Sequence, residues 1–106
     1  MSRKVVAYVP DLMDRSKVAG AGADVTFVAR PGDLGDAVAT AGAELVVVDL
    51  TRPGVVDAVT GMGVPVLGFS KHTNREAMDA AVAAGVDQVM ARSAFFSRLD
   101  ELLGDS

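Results

Sequence analysis

Asp49 ends an apolar run, Val46, Val47 and Val48, and is followed by Leu50, Thr51, Arg52, Pro53 and Gly54, which do not continue a strand. A carboxylate at the tip of a buried segment either does chemistry there or is a plain strand-end acid tied up by a neighbour. Other reactive side chains follow apolar runs in the same way: Asp11 after Val9 and Pro10, Arg30 after the second run, Ser70, Lys71 and His72 after the fourth, and Arg92 after the fifth. An ion pair between Asp49 and Arg92 is the favoured reading. Ser70 either stabilises an anionic oxygen or caps the next turn. His72 has no second His or Cys nearby to share a metal and no partner nucleophile to activate, so a surface loop is expected. Arg30, Arg52, Lys71, His72 and Arg92 together raise the alternative of a small anionic-ligand site. No P-loop or G-x-G-x-x-G follows the first apolar run to support it.

These residues need a scaffold that gathers them at one edge. Strands are predicted over 4–9, 24–29, 44–48, 64–69 and 88–91, mostly as continuous apolar runs of the kind found in a parallel sheet covered on both faces. Helical windows lie between them. Leu34, Ala37, Val38 and Ala41 mark a helix that stops near Gly42; Met78, Ala81 and Val82 mark one that ends at Gly85, opened by a capping box of Thr73 and Glu76. Phe95, Leu99, Leu102 and Leu103 mark a fifth. The first window, 11–21, places Leu12, Met13 and Val18 beside Lys17, and the third, 55–61, is barely two turns. The Gly-rich stretch 19–24 falls where a helix ends and a strand begins, so it is a turn. Alternating strands and helices imply right-handed crossovers and a flavodoxin-like (βα)5 three-layer sandwich, its five parallel strands in the order 2-1-3-4-5. In such a sheet, ligands meet the carboxyl ends of the strands, where Asp49 is placed.

Composition narrows the function. One domain over 1–106 is expected. Half the residues are hydrophobic and only 5% aromatic, so the core is aliphatic. With no cysteine there is no disulfide, thiolate metal site or cysteine nucleophile. Pro10 and Asp11 cut the first apolar run too early for a signal segment or a membrane span, so a soluble, cytoplasmic chain without membrane contact is expected. The net charge of −4 and the lack of a basic run argue against a nucleic-acid partner.

The segment Asp49-Leu50-Thr51-Arg52-Pro53-Gly54 resembles the D-L-x-x-P-G segment of response-regulator receiver (CheY-like) domains. Pro65 to Ser70 is similar to their fourth strand, which ends in a switch Thr or Ser, and Ala84-Gly85-Val86-Asp87 is similar to the turn before their fifth. The resemblance covers nearly the whole chain. It implies Asp49 as the possible phosphoacceptor and Asp11, Ser70 and Arg92 as equivalents of the remaining receiver site. The departures are as telling. Receivers carry a pair of acids after the first strand that hold Mg²⁺ with the phosphoacceptor; Val9 and Pro10 stand there, and Asp11 comes one place late. Arg92 replaces a lysine, and Val89 replaces the switch aromatic. Mg²⁺ requires near-octahedral oxygen ligands, which one displaced carboxylate and Asp49 supply poorly. The chain reads as a degenerate pseudo-receiver.

The function expected from the sequence is therefore a signalling or regulatory module acting by protein–protein contact. It is not an enzyme, uses no cofactor and no metal, and does without Mg²⁺-dependent phosphorylation. The alternatives are a phospho-accepting receiver using Asp49 and the anionic-ligand module. A protein partner or homodimer is expected through the fourth helix, fifth strand and fifth helix. The helix is rich in alanine, and of the adjacent Phe95 and Phe96 one is expected in the core and the other on the interaction surface.

Overall fold

The third strand shows why the chain folds around its middle. In the computed structural model, which describes residues 3–71 and 75–103, all five residues of β3 (Leu45–Asp49) are buried. Burying each of its four aliphatic side chains is worth about 1.5–3 kcal/mol. Together they outweigh the cost of carrying one hydrogen-bonded carboxylate, Asp49, inside with them. Beside β3 lie β1 (Lys4–Tyr8) and β4 (Val66–Ser70), with β2 (Asp24–Phe27) and β5 (Gln88–Ala91) at the edges. All pairs are parallel and the order is β2-β1-β3-β4-β5, as the sequence predicts. The register sets Asp49 opposite Phe69, and Ser70 opposite Ala91.

Helices cover both faces. On one, α1 (Leu12–Ala19), α5 (Arg92–Ser97) and α6 (Leu99–Leu103) close over Val5, Val47, Phe69 and Phe95. On the other, α2 (Leu34–Ala41), α3 (Val55–Val59) and α4 (Arg75–Ala83) close over Val6, Val46, Val48 and Val55. A 3-10 turn, Pro31–Asp33, leads into α2, and Gly42 at φ 65° ends it with its N–H on the Val38 carbonyl. No helix among the described residues is long and apolar enough to cross a membrane. His72 and the Thr73 member of the capping box lie outside the described residues.

Two elements differ from expectation. The fifth helical window is two helices, broken at Arg98. The Ser97 hydroxyl donates to the Ala94 carbonyl, the acceptor a continuing α-helix would offer Arg98, and the Arg98 N–H turns to Phe95 instead. In α1, Leu12 and Met13 are not core residues but 75% and 72% exposed, while Asp14 and Val18 face the sheet.

The segment after Asp49 is held by a close approach. Leu50 donates its N–H to the Phe69 carbonyl and tucks its buried side chain against Gly68. A Cβ on Gly68 would lie 2.8 Å from Leu50 Cγ, so only glycine lets this turn seat without displacing it.

Candidate functional site

Three strand ends and the start of α1 converge on Asp49. Its Oδ1 accepts hydrogen bonds from the Thr51 backbone N–H at 3.0 Å and the Thr51 hydroxyl at 2.5 Å. Its Oδ2 lies 3.6 Å from Arg52 Nε. This is an Asx turn reinforced by a hydroxyl and a cation, and the local order Asp-Leu-Thr-Arg builds it without help from distant elements. Asp49 is 3% exposed.

Arg92 opens α5, directly after β5. Its two terminal nitrogens meet both carboxylate oxygens of Asp14, in the fork-to-fork geometry that suits a guanidinium and a carboxylate. The expected Asp49–Arg92 pair is therefore not the one that forms. Asp49 is already served by Thr51 and Arg52 from its own turn, and Asp14 offers Arg92 two oxygens at once. The hydrogen bonds to Asp14, with further attraction from Asp11 and Asp49, raise the Arg92 pKa above its already high ordinary value. The guanidinium also lies 4.9 Å from the centre of the Phe96 ring.

Asp14 is the residue that sequence reasoning missed. A signal was present: Asp14, Val18 and Ala21 fall at i, i+4 and i+7, so any helix that buries Val18 and Ala21 also turns Asp14 inward.

Asp11 takes a different role from the one its position suggests. Its Oδ1 caps α1, accepting from the N–H groups of Met13 at 3.0 Å and Asp14 at 3.1 Å. The Asp14 N–H, then that of Met13 with Arg92 and Arg52, hold its carboxyl below the usual range despite a smaller opposing effect of desolvation. A lowered folded pKa means that the charged cap stabilises fully above the ordinary carboxylate range, near about pH 4. That contribution is lost as the pH falls through the lower folded value. In urea titrations from about pH 6 down to about pH 2, the Asp11→Ala variant is expected to be less stable than wild type, with the gap narrowing toward acid. Asp11→Asn, an uncharged cap, should fall less steeply with pH than wild type. A gap that stays constant would mean that the charge adds nothing to the cap.

Ser70 ends β4 fully buried, and its hydroxyl has no hydrogen-bond partner among the described residues. Among the described residues, three arginines of this edge are paired with acids. Arg30 pairs with Asp33 at 3.4 Å, Arg52 with Asp49 and Arg92 with Asp14, each with its own acid. Among the described residues, no three His, Cys, Asp or Glu side chains come close enough to hold a metal ion. At the positions where receivers carry their acids, Val9 is buried aliphatic surface and Pro10 offers no ligand side chain. With Asp11 spent on the cap and Asp49 on Thr51 and Arg52, the donor set does not fit Mg²⁺.

The structure decides which of the two phenylalanines is the core residue. Phe95 is fully buried and stacks on Phe69, centroids 4.7 Å apart, so it is core and not surface. Phe96 is half-buried, set edge-on to both rings and covered by Arg92 and by Lys17 of α1. Its surroundings are thus on the α1 side of α5. On α4, the exposed side chains include Ala80, Val82 and Ala83.

No known protein-family model matches the sequence, and no curated protein matches it. Solved structures do. A response regulator from Hahella chejuensis superposes with a TM-score of 0.81 at 16% identity, over 96% of this chain and 92% of that one. The chemotaxis protein CheY4 of Vibrio cholerae gives 0.77 at 17% identity, over 97% of each chain. The phosphorylated cyanobacterial phytochrome response regulator RcpA gives 0.75 at 17%, over 97% of this chain and 89% of that one. With its 2-1-3-4-5 parallel sheet, its covered faces and Asp49 at the carboxyl end of the central strand, the chain has the CheY-like receiver fold.

Proposed function

We propose that this chain is a receiver-fold signalling or regulatory module that acts by protein contact, without turnover and without Mg²⁺-dependent phosphorylation of Asp49. The observation that carries this reading is the use already made of the site's acids: Asp11 caps α1, Asp14 holds Arg92, and Val9 and Pro10 stand where metal ligands are needed. A phosphoryl group on Asp49 would meet no divalent cation to spread its charge. The contact surface we propose comprises α4, β5 and α5, taking a second copy or another protein. The small exposed residues Ala80 and Ala83 with Val82 allow close approach there. Val89, half-buried on β5, has no ring to rotate, so this face stays in one state.

The experiment is a titration of Mg²⁺, alone and with beryllofluoride, followed by amide chemical shifts around Asp49. No change is expected at millimolar concentrations. Sedimentation of the same samples should give one association state with and without acetyl phosphate. A saturable Mg²⁺-dependent shift at Asp49 and its neighbours would overturn the reading in favour of a phospho-accepting receiver.

A further inference from the structure

The guanidinium of Arg92 is held on two sides, by the carboxylate of Asp14 and by the ring of Phe96. A carboxylate fills the fork of a guanidinium just as two oxygens of phosphate or sulfate would. We propose, resting on the receiver-fold reading above, that Asp14 is a resident counter-ion that occupies the anion-binding fork of Arg92 and so makes the carboxyl edge of the sheet unresponsive to free oxyanions.

Three features give Asp14 that role. It is 1% exposed, set beneath α1 by the same turn of helix that buries Val18. A dissolved oxyanion must therefore displace a ligand that cannot diffuse away. The displaced carboxylate would also stay buried without its cation, which is strongly unfavourable. Second, the side chain of Arg92 is 43% exposed, so the fork becomes reachable from solvent once the carboxylate is gone. Third, Phe96 supports the guanidinium independently of Asp14, and the ring is itself braced by Phe69 and Phe95. The cation should keep its place when Asp14 is changed. Asp14 is thus a positioning residue that holds Arg92 in one state, not a binding group for an external ligand.

The test is a titration of inorganic phosphate, with sulfate in a parallel series, at constant ionic strength and without Mg²⁺. The signals followed are the Arg92 Nε–H and the amides of Arg92 and Asp49. In wild type they are expected to stay still through the millimolar range. In Asp14→Leu they should move saturably, with apparent affinity at least about tenfold above wild type, a difference of about 1.4 kcal/mol. Adding Arg92→Gln should abolish the response. Asp14→Asn, nearly the same shape without the charge, is the second variant should the leucine fail to fold. A wild-type shift centred on Arg92 would overturn the proposal, and that arm needs no variant. A folded Asp14 variant that responds no more than wild type would overturn it as well. Failure of the function proposed above would show instead as Mg²⁺-dependent shifts at Asp49, which this metal-free titration does not read.

Discussion

Replacing Arg92 with alanine is expected to destabilise the fold by about 3 kcal/mol, the lower end of the cost of stranding one member of a buried ion pair. The size follows from an asymmetry. Asp14 is 1% exposed and has no route to water, whereas half-exposed Arg92 can be solvated when its partner is removed. Asp14→Ala should therefore cost less, about 1–2 kcal/mol, in keeping with partly exposed pairs. Arg92→Lys keeps the charge but not the planar fork and should recover only part of the loss. The double variant Asp14→Leu, Arg92→Met should regain most of the wild-type stability, because two packed apolar groups carry no desolvation penalty. Urea denaturation of wild type, the two alanine variants and the Asp14→Ala, Arg92→Ala double variant closes a double-mutant cycle. Equal losses from the two alanine variants, or a coupling near zero, would mean that the pair is not buried as described.

The second large effect is expected at Phe95. Phe95→Ala should cost about 3–5 kcal/mol, as for other fully buried aromatic truncations. The ring is fully enclosed and stacked on Phe69, which lies in β4 beside Asp49, so the cavity would open in the middle of the core on this face. Phe96→Ala should cost about half the value of a fully buried ring, roughly 1.5–2.5 kcal/mol. Its loss would also uncover the Arg92 guanidinium and Lys17 Nζ, which lie 4.9 and 5.2 Å from its centre. Thermal and urea midpoints with sedimentation on the same samples would separate packing from association. Unchanged stability with altered association in Phe95→Ala would return that residue to the surface.

The scaffold was legible in the order of residues alone. The β–α alternation and the aliphatic runs led to five parallel strands in the observed order, and the run ending at Val48 placed Asp49 at the working edge. These features are legible because they are local: the period of apolar residues and the chemistry of a turn depend on neighbours a few positions away. The grip of Thr51 and Arg52 on Asp49 is equally local, with all its atoms in one four-residue stretch, yet the sequence reading favoured Arg92 as the partner of Asp49.

Which side chains pair across the fold depends on packing between distant elements. Asp14 and Arg92 are 78 residues apart in the chain, and their meeting depends on how α1 is rotated over the sheet. That rotation runs against the simplest reading of hydrophobicity, exposing Leu12 and Met13 and burying an acid. It forms because a bidentate pair with Arg92 compensates the desolvation of Asp14, an interaction no local window contains. The fate of the two phenylalanines was decided the same way. Adjacent on one helix, they point apart, but only the packing of α5 against Phe69 and α1 determined which ring became core and which became the seat of a cation.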